Sequence, residues 1–74
     1  MRILLDTNAY SALLRGHDEV AVRVRRAREV VLSTVVIGEL QFGFRNGTRF
    51  ERNMSELETF LSSPFVTVAN VSLT

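Results

Sequence analysis

The stretch that decides the fold is Met1-Arg2-Ile3-Leu4-Leu5-Asp6-Thr7-Asn8, at the start of a 74-residue sequence. Its apolar residues follow one another without alternation, which predicts a strand over residues 2–5 that is buried on both faces, as in a parallel sheet. Asp6 would then lie at the carboxyl end of that strand, where open α/β sheets place their ligand sites. A carboxylate beside Thr7 and Asn8 is a suitable first ligand for a hard cation. Aspartate is also among the best N-cap residues, so Asp6 could instead serve only to cap the next helix.

The rest of the sequence alternates between helical and strand patterns. The first three predicted helices cover residues 7–14, 19–28 with Asp18 as its cap, and 35–45. A fourth helix follows the capping box Thr48-Arg49-Phe50-Glu51, carries apolar residues from Phe50 to Leu61 and is ended by Ser62-Ser63-Pro64. The other predicted strands cover residues 30–32 and 65–68. The alternative for residues 30–37 is a single strand, because the opening of the third helix is rich in β-branched residues. The order β-α-α-β-α-α-β predicts a parallel sheet with right-handed crossovers.

The predicted sheet is small for a domain of this class. Three parallel strands leave two exposed edges, and such a sheet needs helices on both faces. Domains of this kind usually run to about 100 residues or more. We therefore expect residues 1–74 to be the N-terminal portion of a larger domain, and a complete minimal protein is the alternative.

Composition excludes several kinds of chemistry. The sequence has no cysteine, which rules out disulfides and thiolate sites, and its single histidine, His17, is expected in a turn. The net charge is only +1, but all nine basic residues are arginine. Four of them fall within six positions, a cluster suited to phosphate contacts or simply to a solvated helix face: Arg23, Arg25, Arg26 and Arg28. No leader or long apolar stretch is evident, so a soluble cytoplasmic protein is expected.

A second acidic position lies in the segment Ser33-Thr34-Val35-Val36-Ile37-Gly38-Glu39-Leu40. Glu39 is the only charged residue between Glu29 and Arg45. A carboxylate in such apolar surroundings costs free energy unless it is paired, solvated in a cleft or bound to a cation. The alternative is a surface glutamate on an amphipathic helix.

These two motifs and the order of the elements resemble the PIN-domain family, and most closely its VapC-type toxins from toxin–antitoxin pairs. The resemblance implies a PIN-like three-layer α/β/α fold with a parallel central sheet, of which residues 1–74 form the N-terminal portion of a single domain. It also implies that Asp6 and Glu39 are catalytic and hold Mg²⁺ or Mn²⁺, with Thr7 and Asn8 in support. The remaining carboxylates of the family would lie beyond this sequence, and Ser72 or Thr74 would be weak substitutes.

The resemblance further implies a metal-dependent endoribonuclease that cuts single-stranded or loop RNA. It implies a homodimer, and an antitoxin that plugs the groove of the active site. Arg23, Arg25 and Arg26 are candidates for guiding RNA phosphates, and residues 1–74 alone are expected to have little activity. Two other interpretations are a non-catalytic interaction module and a PIN nuclease of RNA maturation.

Overall fold

The computed structural model describes residues 1–70, which form a three-stranded parallel sheet and four helices. The elements are β1 (Arg2–Leu4), α1 (Thr7–Leu14), α2 (Asp18–Arg26), β2 (Glu29–Ser33), α3 (Thr34–Arg45), α4 (Phe50–Leu61) and β3 (Val66–Ala69). The predicted α/β class and element order are confirmed. The predictions for Ser72 and Thr74 fall outside the described residues.

The hydrophobic core lies against one face of the sheet. The strand order is β1-β2-β3, so β2 is central, and its Val30 and Leu32 are fully buried. Each helix adds a buried side chain to the same cluster: Tyr10 from α1, Val24 from α2, Leu40 from α3 and Leu57 from α4. Alternate strand residues point to opposite faces, so a cluster built on Val30 and Leu32 belongs to one face.

The first strand differs from its prediction. It was expected to be buried on both faces, but β1 is an edge strand of the described sheet, and Leu4 is 80% exposed. Leu5, one residue later, is buried in the core. Within residues 1–70 the prediction is therefore wrong, because an uninterrupted apolar run does not show what packs against each face of the strand.

The face that carries Leu4 holds a polar network across all three strands. Arg2 on β1 forms an ion pair with Glu29 on β2, with Nε and Oε1 2.9 Å apart. The hydroxyl of Thr67 on β3 donates to the other carboxylate oxygen of Glu29 at 2.7 Å. These contacts tie the three strands together at the surface.

Two of the predicted helix caps are wrong. The N-cap of α2 is His17, and Asp18 is instead the first helical residue. At that position its negative charge still interacts favourably with the positive end of the helix dipole. The N-cap of α4 is Arg49, whose side chain makes no capping bond, so the capping box that begins at Thr48 is not formed. The predicted stop after α1 is confirmed, since Gly16 adopts a φ of 80°.

The start of α3 settles the alternative between strand and helix. β2 ends at Ser33, and the hydroxyl oxygen of Ser33 accepts a hydrogen bond from the Val36 N–H at 3.1 Å. This N-cap starts the helix at Thr34, so the interpretation of residues 30–37 as a strand is wrong.

Candidate metal centre

The candidate site is an open cleft at the carboxyl edge of the sheet. The carboxyl ends of neighbouring parallel strands meet at one edge, so the start of α1, after β1, lies beside the start of α3, after β2. The cleft measures about 450 Å³ and is lined by Asp6, Thr7, Asn8, Val36 and Glu39. The structure thus brings together all four residues predicted for the metal site and adds Val36.

Asp6 caps α1 through only one of its two carboxylate oxygens. Its Oδ1 accepts a hydrogen bond from the Ala9 N–H at 2.7 Å, as the capping alternative predicted. Its Oδ2 makes no hydrogen bond to the described residues, and the side chain is exposed. The capping and ligand interpretations of Asp6 are therefore compatible, because they use different oxygens.

Glu39 is fixed by Thr7. The Thr7 hydroxyl donates to Glu39 Oε1 at 2.6 Å, a contact that joins the first turn of α1 to the middle of α3. Glu39 is exposed, as the surface alternative supposed, but it lies in the cleft and has a defined partner. The Thr7 hydroxyl therefore orients a carboxylate whose second oxygen, Oε2, stays available. Asn8 adds a polar side chain to the cleft wall.

The oxygen atoms of the cleft supply part of what a hard divalent cation needs. Two carboxylates each keep one oxygen free, and Mg²⁺ is often bound by one or two carboxylates while it retains several waters. Within residues 1–70 there is no group of three or more acidic, histidine or cysteine side chains that could hold a metal. The cleft thus offers two carboxylates that could bind a cation.

The predicted arginines are not gathered at this cleft. The Arg28 N–H donates to the Met1 carbonyl, which puts the end of α2 at the amino edge of the sheet, opposite Asp6. At about 3.3 Å per strand residue, the two edges are roughly 16 Å apart. Arg25 and Arg26 belong to the last turn of α2, near that far edge. Arg23 borders a separate groove beside β1 and α1.

Sequence reasoning missed Val36 as a cleft residue, because its place in an apolar run suggested core packing alone. Val36 lies three residues before Glu39 on α3, and residues at that spacing share a helix face. This spacing was the signal that could have found it.

Comparisons with known proteins agree with this fold and cleft. A sequence model of the PIN domain family matches residues 3–73, and the chain belongs to this family. The fold is similar to that of a chain in the crystal structure of VapBC2 from Rickettsia felis bound to a DNA fragment from their promoter, with a TM-score of 0.76 and 26% sequence identity. The match covers 97% of this chain and 56% of that chain, so this chain spans about half of that length.

Both findings confirm the predicted resemblance to PIN domains of the VapC type. No curated protein matches the sequence. Among the helices of residues 1–70, none has the length and apolar character needed to cross a membrane.

Proposed function

We propose that this chain belongs to a metal-dependent endoribonuclease toxin of a type II toxin–antitoxin system. The observation that carries the proposal is the convergence of Asp6 and Glu39, which are distant in sequence, in one open cleft of a PIN domain. That residues 1–74 form the N-terminal portion of that domain is still a prediction. The similarity to a chain of VapBC2 supports the toxin–antitoxin assignment.

The residues of the cleft have distinct tasks in this proposal. Asp6 and Glu39 would hold Mg²⁺ or Mn²⁺, which when bound would supply charge neutralisation at a phosphodiester and an activated water. The Ala9 N–H and the Thr7 hydroxyl each hold one carboxylate oxygen and so fix both carboxylates. The Asn8 amide is able to donate to a water or a phosphate oxygen in the cleft.

The partners follow from the same proposal. The substrate is RNA, and the protein acts in the cytoplasm as a homodimer that a cognate antitoxin neutralises. The antitoxin is inferred from the VapBC2 complex. A second candidate function, a non-catalytic interaction module, is favoured by the exposure of Leu4 on the edge strand β1.

A ribonuclease assay on the full-length protein tests the proposal. We expect cleavage of single-stranded RNA with Mg²⁺ or Mn²⁺ and none with a chelator. Asp6→Asn and Glu39→Gln should each lower the rate by at least about 100-fold, since loss of a group that merely supports a metal ligand already costs about 10–100-fold. Asp18→Asn is the matched control, because Asp18 is an exposed acid on α2 outside the cleft.

Two results would contradict the proposal. Cleavage that persists in Asp6→Asn would show that the activity arises elsewhere. A full-length protein that binds divalent metal through Asp6 but cleaves no RNA would favour the interaction module.

A further inference from the structure

Helix α3 exposes an aromatic ring next to the candidate metal centre. Phe42 is 70% exposed, whereas Phe50 and Phe65 are 39% and 43% exposed. It follows Glu39 by three residues, a spacing that puts helical Cβ atoms about 5–6 Å apart. Helical side chains lean towards the start of their helix. The ring of Phe42 therefore covers surface on the side of Glu39.

The packing of the chain does not use this ring. The core residues of α3 are Leu40 and Phe44, and Phe42 is absent from the core cluster formed by residues 1–70. The aromatic contact in this part of the chain joins Tyr10 and Phe60 instead. An exposed phenyl ring presents a flat apolar face, and a ligand that covers this face removes its apolar surface from water.

The surroundings of the ring suit a flat, anionic ligand. A Cβ added at Gly43 would meet no atom within 4 Å, so the helix surface beside Phe42 is open. Arg45, three residues further along α3, is exposed and belongs to neither of the ion pairs formed within residues 1–70. Glu39, Phe42 and Arg45 thus follow one another along α3 at steps of about 4.5 Å.

We propose that Phe42 stacks on a base of single-stranded RNA adjacent to the bond that is cut, while Arg45 contacts a neighbouring phosphate. The proposal rests on the proposed function, since it takes the phosphodiester to lie at Asp6 and Glu39. Every base has a π face, so aromatic stacking suits single strands of any sequence. The exposed Arg45 is complementary in charge to a phosphate of the RNA backbone, which favours RNA over an apolar protein surface as the occupant.

Residues 1–74 contain no tryptophan, so a tryptophan at position 42 adds a reporter at this contact, and the fluorescence of the wild type gives the background. In the full-length Phe42→Trp protein, mixed rapidly with Mg²⁺ and a short single-stranded RNA, we expect the tryptophan fluorescence to be quenched on binding, before the RNA is cleaved. Phe65→Trp is the matched control: Phe65 is also exposed but lies before β3, at the amino edge of the sheet, and its fluorescence should not change. Phe42→Leu keeps an apolar side chain without the ring and should weaken RNA binding about 10-fold.

The possible outcomes separate this inference from the proposed function. If RNA anisotropy shows binding while Phe42→Trp stays unquenched, the stacking proposal is overturned and the nuclease proposal stands. If the wild type and Phe65→Trp bind no single-stranded RNA at all, both are overturned. If Phe42→Leu changes the mass measured by light scattering but leaves RNA affinity unaltered, the ring belongs to a protein interface and the stacking proposal is again overturned.

Discussion

At the scale of single residues, the proposed function gives each carboxylate of Asp6 and Glu39 two tasks. One oxygen holds local structure, through the Ala9 N–H or the Thr7 hydroxyl, and the other is left for a ligand. A carboxylate that is already held loses less side-chain freedom when it binds a cation. Under the proposed function Thr7 is therefore a positioning residue, whose effect on the site runs through Glu39.

Replacing Thr7 by valine tests this role. Thr7→Val keeps the shape but removes the hydroxyl donor, so Mn²⁺ affinity should fall by about 10–100-fold, while stability changes by about 1 kcal/mol or less. Calorimetric titration with Mn²⁺ and urea unfolding measure the two effects. Thr7→Ser retains the donor and should restore most of the affinity. Equal Mn²⁺ binding by Thr7→Val and the wild type would show that Glu39 needs no such support.

Tyr10 makes folding sensitive to high pH. Burial, with a smaller contribution from the charge of Glu56, raises the pKa of Tyr10 from 10.0 to about 12. The fold favours the neutral phenol, so stability is unaffected below pH 10 and decreases as the pH rises from 10.0 to about 12. The total loss should be about 2–3 kcal/mol.

Urea unfolding of the wild type and Tyr10→Phe, compared between pH 8 and 12, measures this dependence. Tyr10→Phe keeps the ring in the core but cannot ionise, so its stability should change less over the same range. An identical decrease in both proteins would assign the effect to other groups.

At the scale of elements, the helices and strands were largely predictable, whereas their ends were not. The apolar periodicity from Phe50 to Leu61 predicted the fourth helix, and the observed α4 spans Phe50–Leu61. The caps at Thr48 and Asp18 failed because a cap depends on the direction from which the chain enters the helix. Arg49, for example, precedes α4 with φ −119° and ψ 41°, outside the extended region usual for an N-cap.

Two glycines give opposite predictions for helix stability. Gly43 lies inside α3 with open space where a Cβ would be, so Gly43→Ala should stabilise the protein by about 0.5–1 kcal/mol. Gly16 follows α1 at a φ of 80°, so Gly16→Ala should destabilise it by about 1 kcal/mol. Thermal unfolding followed by circular dichroism measures both. Loss of stability in Gly43→Ala would show that another chain or segment approaches α3 closely.

At the scale of the whole molecule, one core holds the four helices to the sheet. Leu57 of α4 is 1% exposed within that core, so Leu57→Ala should cost about 2–5 kcal/mol. Leu4→Ala makes the same chemical change at a residue that is 80% exposed, and it should cost less than about 0.5 kcal/mol. Urea unfolding of the full-length protein gives both values. A large loss for Leu4→Ala would mean that another part of the protein or a partner covers this face of the sheet.

The sequence by itself determined the α/β class, the order of the elements and the identity of the two acidic positions. These follow from local patterns, because apolar periodicity and the residues that end each element can be read from neighbouring positions in the sequence. The family resemblance also rested on two short motifs, and the match over residues 3–73 confirms it.

Only the tertiary structure decided which strand is central, which arginines lie far from the cleft, and how Glu39 is held. The hydrogen bond from Thr7 to Glu39 joins residues that only the pairing of β1 with β2 brings together. In the same sheet Leu4 lies on the edge strand β1, and the end of α2 lies beside the amino ends of the strands, opposite the cleft. Such contacts depend on how elements are arranged in space, and this arrangement is not encoded in the local pattern of any one of them.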